Sequence, residues 1–566
     1  MILKELVEFT RRVPSLPPPG YQPAFVTKVI QLNGDGTLRG LVALSGEKRG
    51  KREGKTIMAP RESPQRTVAI VPRLLCDDAE YVLGRAGEGR DASKVAARHT
   101  RFCELVRECA EVTGEPRVEA VVRWLDAGGP EGLREDGRIA DDDEIAIEVD
   151  GVYPFHLDDV ATFWCGRARV GPVMTCLVSG RRAPIVDRMP APIKGIPEGQ
   201  MSGTVLVGVN NPSGCSYGLD AAQNSPISAD AALRICNGLN YLLSERKHSL
   251  RIARAVYVYW TREEQDYDLW GLLSQPDEAQ VQELLRSPLR GRPAAEPAAN
   301  DFFVLALSAN ASRIVVRDLM ETTLEAVKAS LAGWFRRLRI VDRDGQPTSA
   351  FGLFPLAASL YREARDMPAH VPTALLRSAL QGSPLPDYLL GLALRRNQAA
   401  QGPYVEINGR RVLSVERLAL VKALLQQKEV SNLEALNPQH PDPAYHCGRL
   451  LAAVERIQRA ALGQDINATV VDRYYGSACA SPGAVLGTLV NGAQAHLSKL
   501  RKEKRDYYHQ LQLEDILSAI GPEFPRTLSL HRQGLFALGF YHQKAHDRAQ
   551  AIAHRQDAQE EEGENQ

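Results

Sequence analysis

The spacing of apolar residues changes once along the chain, near Phe354. Before it, short runs rich in β-branched and aromatic residues recur; after it, apolar residues return every three or four positions. A chain with that switch is neither a bundle nor a sandwich throughout. It reads as α+β: a mixed α/β N-terminal portion with short antiparallel strands, followed by a C-terminal helical bundle. Its 566 residues leave room for roughly three to five domains.

The first half supplies the strands. FVTKVIQL (25–32) and LRGLVAL (38–44) flank Asn33-Gly34-Asp35-Gly36, which predicts a hairpin. An amphipathic helix precedes them and stops at the prolines of LPPPG (16–20). TVLVGVN (204–210), AVYVYW (255–260), FFVLALS (302–308) and RIVVRDL (313–319) read as further strands, the last two as an adjacent pair around Ala309–Ser312. Ser228 is placed to cap a helix through Leu233, Leu239 and Leu242. Leu324, Val327, Leu331, Trp334 and Leu338 form one helical stripe. In the second half, Asn408-Gly409 predicts one isolated hairpin within VEINGRRVL (405–413). The Leu450, Val454, Ile457, Ala461 series, the helix opened by Ser481-Pro482, and Leu513, Ile516, Leu517 and Ile520 predict a bundle. The expected divisions are an N-terminal α/β region at 1–125, an acidic linker or loop at 126–150, and an α/β core at 151–350. A helical bundle at 351–550 and a disordered acidic tail at 551–566 complete them.

Charge is balanced overall, with 69 basic and 69 acidic residues, which excludes a uniformly basic nucleic-acid coat. It is not balanced locally. Lys48, Arg49, Lys51, Arg52, Lys55, Arg61, Arg66 and Arg73 face only Glu53 and Glu62, a net +6 over 26 residues. Gly50, Gly54, Pro60 and Pro64 make this segment read as an open loop suited to phosphate contact or, equally, as a solvated surface loop. Residues 126–150 carry a net −8 over 25 residues. A second basic run, KLRKEKRDYY (499–508), holds Lys499, Arg501, Lys502, Lys504 and Arg505 beside Tyr507 and Tyr508. Cations next to rings suit a single strand, and a solvated helix face is the alternative.

No phosphate-binding loop, nucleophile elbow, HExxH or GxGxxG motif is present, so no cofactor and no catalytic residue are expected. The acidic run Asp141–Asp143 lacks the spacing of a calcium loop, and His542 with His546 lacks a third ligand. Cys165 and Cys176 lack the CxxC partners of a zinc ribbon, and single thiols are expected. Nine cysteines without a CxxC pair, and an N-terminus without an apolar signal region or membrane span, point to the cytoplasm.

Five strings occur in order: LPPPGY to DDAEYVLG (16–84), CLVSGRRAPIVDRMPAPIKG (176–195), VGVNNPSGCSYGLDAAQNSPIS (207–228), LSANASRIVVRDL (307–319) and INATVVDRYYGSACASPGAV (466–485). With them the chain resembles the Csd-type large subunit of the type I-C CRISPR surveillance complex, Cascade, over about residues 1–545. The resemblance implies a non-enzymatic subunit that recognises the protospacer-adjacent motif (PAM) in duplex DNA and assists R-loop formation. It also implies support of the displaced strand and docking of the helicase–nuclease. Implied partners are the guide-RNA-containing complex with its backbone, 5′-handle-binding and small subunits, and the target DNA. On this reading, duplex contact falls to the eight cations of 48–73 with Asn210, Asn211 and Tyr217. Displaced-strand contact falls to Lys499, Arg501, Lys502, Lys504 and Arg505, within a small-subunit-like region of about 440–550. Arg313 and Arg317, alternating on one strand face, are further nucleic-acid candidates, and internal ion pairing is their alternative. The asparagines also suit plain turn chemistry. A metal-dependent nuclease and a protein-binding scaffold are the competing functions. No methionine lies beyond Met367, so a separate product of the last 120 or so residues would need a non-ATG start.

Overall fold

The computed structural model describes residues 2–564 apart from 14–15, 19, 51, 62–65, 67–68, 88, 168–171, 210–211, 264–268, 278, 282–300, 408–409, 428–432 and 464–465. The chain divides into two units, residues 1–194 with 201–241, and residues 195–200 with 242–566.

The first unit opens with the helix Ile2–Thr10. Two small sheets follow. β1 (Tyr21–Val26) is separated by Thr27 from β2 (Lys28–Leu32), which turns through Asn33–Gly36 into β3 (Leu38–Ala43) as expected. β4 (Glu47–Arg49) and β5 (Arg52–Pro60) form a tight hairpin, and β5 runs antiparallel beside β1 with Val26 opposite Lys55. β6 (Cys76–Asp78) and β7 (Glu144–Val149) complete the second sheet, of order β3-β2-β7-β6, in which β2 and β7 are parallel. β7 lies inside the segment expected as an acidic linker. Its sequence EIAIEV buries Ile145, Ala146, Ile147 and Val149, so four apolar residues hold a strand that the surrounding acids disguise. The helix Gly129–Arg134 lies in the same segment. The helices Ala92–Thr113 and Pro116–Asp126 bury Phe102, Val106, Val121 and Trp124 in the core with Tyr81, Ile145 and Phe155. β8 (Val173–Thr175) and β9 (Arg182–Pro184) form a further short hairpin. Among the described residues TVLVGVN forms no extended strand: Thr204 and Val205 sit in isolated bridges, Thr204 with Ile193, and residues 206–209 are irregular. Among the described residues it joins none of the named sheets, and β propensity without a paired ladder is a weak signal.

The second unit contains an antiparallel meander of β10 (Ser249–Ile252), β11 (Ala255–Thr261), β12 (Asp301–Asn310) and β13 (Arg313–Thr323). The AVYVYW, FFVLALS and RIVVRDL expectations all land on these strands. The helix Leu324–Leu338 is capped by Thr323 and buries Leu324, Val327, Leu331, Trp334 and Leu338. Each such side chain contributes about 1.5–3 kcal/mol of burial. A short hairpin pairs Ile340–Val341 with Pro347–Thr348, and from Leu353 on the described residues are helical except for one more, Tyr404–Ile407 with Arg410–Leu413. The Asn408-Gly409 turn itself lies outside the described residues.

At the C-terminal end, the helix Pro443–Leu462 is surrounded by Val470–Ala480, Pro482–Lys502, Tyr507–Ile520 and Leu530–Glu564. Pro482 opens its helix as read, but the Ser481 side chain makes no cap bond. The central and last helices touch backbone to backbone. A β-carbon on Gly448 would stand 2.0 Å from the Phe536 carbonyl oxygen, and one on Gly539 would stand 1.9 Å from that of Tyr445. Only glycine permits this reciprocal approach. The last helix runs through Glu564, so residues 551–564 continue it in place of the unstructured tail expected from composition. Ala, Gln, Arg and Glu are all good helix formers, and an existing helix extends at little cost.

Candidate nucleic-acid interface

The segment 48–73 is not an open loop. Arg49 pairs with Arg52 across a two-residue turn, Gly50 adopts φ +64°, and the result is a basic β-ribbon. Strand alternation then gives the ribbon two faces. On one, Arg49 lies 4.7 Å from the Phe25 ring centre and donates to the Thr56 hydroxyl at 3.2 Å. Arg52 on that face donates to the Asp142 carbonyl at 2.7 Å. On the other, Lys48 and Lys55 flank Glu53, exposed and without an ion-pair partner among the described residues. Lys51 lies outside the described residues.

Arg66 and Arg73 are corrections. Arg66 pairs with Asp77 at 2.6 Å and Asp78 at 2.8 Å and lies over the Tyr81 ring. Arg73 is 3% exposed; its backbone N–H donates to Asp77 at 2.7 Å and its guanidinium pairs with Asp77 and Glu144. Burial pushes the Asp77 carboxyl up to about 6, against the pull of Arg73 and Arg66, which leaves it ionised at neutral pH. These two arginines neutralise buried acids and are turned away from any ligand. Arg61 is different again. Its N–H holds the Gly20 carbonyl at 2.8 Å, and its half-buried guanidinium has no carboxylate partner among the described residues. Burial lowers its pKa.

Asn210 and Asn211 lie outside the described residues. Tyr217 sits in a separate loop and is 100% exposed. Residues Ser216–Leu219 close a turn through Leu219 N–H to Ser216 C=O at 3.0 Å, with φ +54° at Tyr217 and +69° at Gly218. Asn224 clamps both ends: its Oδ1 accepts from Ser216 N–H and its Nδ2 donates to Leu219 C=O, each at 2.9 Å. A left-handed tyrosine costs on the order of 1 kcal/mol, and the clamp holds the ring outward regardless.

The C-terminal basic run is also not one helix. The helix ends at Lys502, Lys504 takes φ +56°, and the next helix starts at Tyr507. Lys499 Nζ donates to the Ala461 carbonyl at 2.7 Å, completing the end of the central helix. Arg501 pairs with Asp506 at 3.0 Å and Arg505 with Glu503 at 3.1 Å. Lys502 and Lys504 are exposed with no partner among the described residues. Tyr507 is 74% exposed, whereas Tyr508 donates to Gln550 at 2.7 Å beneath Arg456, 4.7 Å above its ring. Arg456 in turn pairs with Asp547 at 2.9 Å. Arg456 and Asp547 carry no local signal in sequence, because the helices that hold them meet only in the folded bundle.

Arg313 opens β13 opposite Asn310. A register shift between Ala306 and Leu307 makes Arg317 the extra residue of a β-bulge, so the alternation assumed for the two arginines does not run through. Arg317 Nε donates to the Ser308 hydroxyl at 2.7 Å.

The residues of the alternative metal sites have partners within the fold. Asp141 pairs with Arg85 at 3.0 Å, Asp142 with Arg52 at 3.5 Å, and Asp143 accepts from Ala140 N–H at 2.8 Å. His542 is buried against the Tyr445 hydroxyl at 2.9 Å. Cys176 Sγ accepts from Ser228 N–H at 3.3 Å, and Cys76, Cys103, Cys109, Cys176, Cys236, Cys447 and Cys479 are buried thiols outside any disulfide. Among the described residues no group of three or more His, Cys, Asp or Glu is placed to hold a metal, and no helix is long and apolar enough to cross a membrane.

The model of a family of CRISPR-associated proteins, Cas_Csd1, matches residues 3–547, nearly the whole chain. The chain belongs to the Cas_Csd1 family. The comparison with curated proteins finds no match. Membership places this Cas_Csd1 protein in a CRISPR-associated, Cascade-type context, and its α+β architecture agrees with the reading from sequence.

Proposed function

We propose that this Cas_Csd1 protein is the non-catalytic large subunit of a type I-C Cascade, acting in the cytoplasm in antiviral defence. It recognises the PAM in duplex DNA, assists R-loop formation, supports the displaced strand and docks the helicase–nuclease. Its partners are the guide-RNA complex and its target DNA. The observation that carries the reading is the β4–β5 ribbon, whose Lys48 and Lys55 are exposed and unpaired among the described residues. A two-stranded ribbon fits the major groove, and free ammonium groups displace phosphate counterions. Arg61, half-buried without a carboxylate, is the next candidate for a phosphate. For the displaced strand, Lys502 and Lys504 supply charge and Tyr507 an open ring face.

The test is DNA capture by the complex reconstituted with guide RNA, with and without this chain, on duplexes differing only in the PAM at one salt concentration. PAM-dependent capture that requires the chain supports the reading. Capture indifferent to the PAM, or to the chain, refutes it. Lys48→Ala with Lys55→Ala is expected to weaken capture of duplex more than of pre-melted DNA.

A further inference from the structure

Deeply buried arginines in this chain generally meet carboxylates: Arg73 meets Asp77 and Glu144, and Arg449 meets Asp515. Arg417 does not. Its side chain is 0% exposed. Nε donates to the Ser359 carbonyl at 2.6 Å, and Nη1 donates to Asn397 Oδ1 at 2.9 Å and the Tyr404 carbonyl at 3.3 Å. All three acceptors are neutral. Nη2 donates to nothing among the described residues.

Two more buried polar atoms share this condition, Asn397 Nδ2 and the Tyr475 hydroxyl, on side chains 0% and 1% exposed. The three belong to one cluster. Asn397 is hydrogen-bonded to Arg417, and both Asn397 and Arg417 act on the Tyr475 hydroxyl, although no bond of ordinary geometry satisfies it. Tyr475 is fixed there by edge contacts to Phe536 and Phe540, at 5.7 and 5.6 Å between ring centres.

The surrounding field is positive. Burial and then Arg396 push Arg417 down to about 10, and Tyr475 and then Glu416 offset them less. Lys422, also 0% exposed and bonded to the Arg337 carbonyl, has another way out: burial pushes it down to about 8, within reach of losing its proton. A guanidinium has no such route and stays charged. A buried charge without a counter-charge is strongly unfavourable, and so is each unpaired donor.

We propose that Arg417 Nη2, Asn397 Nδ2 and the Tyr475 hydroxyl hold a small monovalent anion of halide size. It joins the helices Tyr388–Ala399, Val415–Gln426 and Val470–Ala480. Three unpartnered donors in one cluster suit a small spherical acceptor. Water would satisfy the donors but leave the charge, and a nucleic-acid phosphate cannot reach side chains this deeply buried. The site is independent of the DNA-binding surfaces and of the function proposed for them.

The test is thermal unfolding of the full chain in sodium chloride against sodium gluconate at equal ionic strength, together with anomalous scattering from crystals grown in bromide. Because the anion binds only the folded chain, the wild-type midpoint rises by several degrees between about 10 and 300 mM chloride relative to gluconate. In Tyr475→Phe, which keeps the ring packing, at least half of that chloride-specific rise is lost. A bromide peak appears within hydrogen-bond distance of Arg417 Nη2. Equal midpoints in the two salts, or scattering at the site without an anomalous signal, overturns the proposal. If Tyr475→Phe fails to fold, the wild-type salt comparison and the bromide peak decide.

Discussion

The ribbon segment and the C-terminal basic turn have unrelated backbones, yet they divide their charges in much the same way. In the first, Arg52, Arg66 and Arg73 bind acceptors of the fold, while Lys48 and Lys55 have no ion-pair partner among the described residues. In the second, Arg501 and Arg505 pair with neighbouring acids, while Lys502 and Lys504 are left to solvent. A planar guanidinium makes directed, paired bonds, whereas an ammonium keeps its water. Lys499 and Arg61 cross the division, the one capping a helix and the other lacking a carboxylate among the described residues. The lesson is that the density of cations along a sequence does not measure the charge shown to a partner.

The hardest blow to this comparison would come from Arg73. Arg73→Met should cost about 3–5 kcal/mol, since it leaves buried Asp77 to Arg66 alone and takes the guanidinium from Glu144, and the urea unfolding midpoint measures it. Lys55→Ala should stay within about 0.5 kcal/mol. Similar midpoints for the two variants would erase the distinction between internal and outward charge. Next in size is binding. Lys48→Ala with Lys55→Ala should lower the slope of log affinity against log salt by roughly 1.8, with weaker capture throughout and an unchanged melting temperature. Lys502→Glu with Lys504→Glu should instead shorten R-loop lifetime as salt rises. R-loops indifferent to both salt and reversal would place the displaced strand elsewhere.

The division extends to titration. Burial, with the nearby charges of Lys422 and His440, pushes His542 down to about 3. The unfolded chain therefore takes up a proton that the folded chain refuses. The contribution of this neutral imidazole is complete above the ordinary histidine value near pH 6.5 and is lost as pH falls toward 3. His542→Gln should flatten the fall in stability by up to about 1.4 kcal/mol per pH unit in that window, read from unfolding curves. The smallest expected effect separates the two adjacent tyrosines. Tyr508→Ala should cost on the order of 1 kcal/mol through its contacts with Arg456 and Gln550, and Tyr507→Ala should cost nearly nothing in melting temperature.

Much of the architecture was legible where pattern and partner agree. The Leu324–Leu338 stripe, β11 to β13 and the C-terminal helices follow their apolar spacing because a neighbouring element buries the marked face. TVLVGVN failed where the described residues offer it isolated bridges and no paired ladder, and β7 was hidden because its acids sit on the strand that its apolar residues bury. The site was less legible. Local charge marked two segments that carry exposed lysines, but Asp77, Glu144 and Asp142, which claim three of the cations, come together only through the sheet and its adjoining loops. Tyr217 was singled out by motif, and the Asn224 clamp that holds it outward is visible only in the turn.

The paired glycines of the central and last helices also set an order of events during synthesis. Gly448 waits for Phe536, and Gly539 for Tyr445, across some ninety residues of chain. The intervening helices emerge from the ribosome before their keystone does, with the apolar face of Pro443–Leu462 uncovered. Closure of this bundle is therefore a late, non-local step. A nascent chain paused before residue 540 would present that face to chaperones, or to another copy paused at the same point.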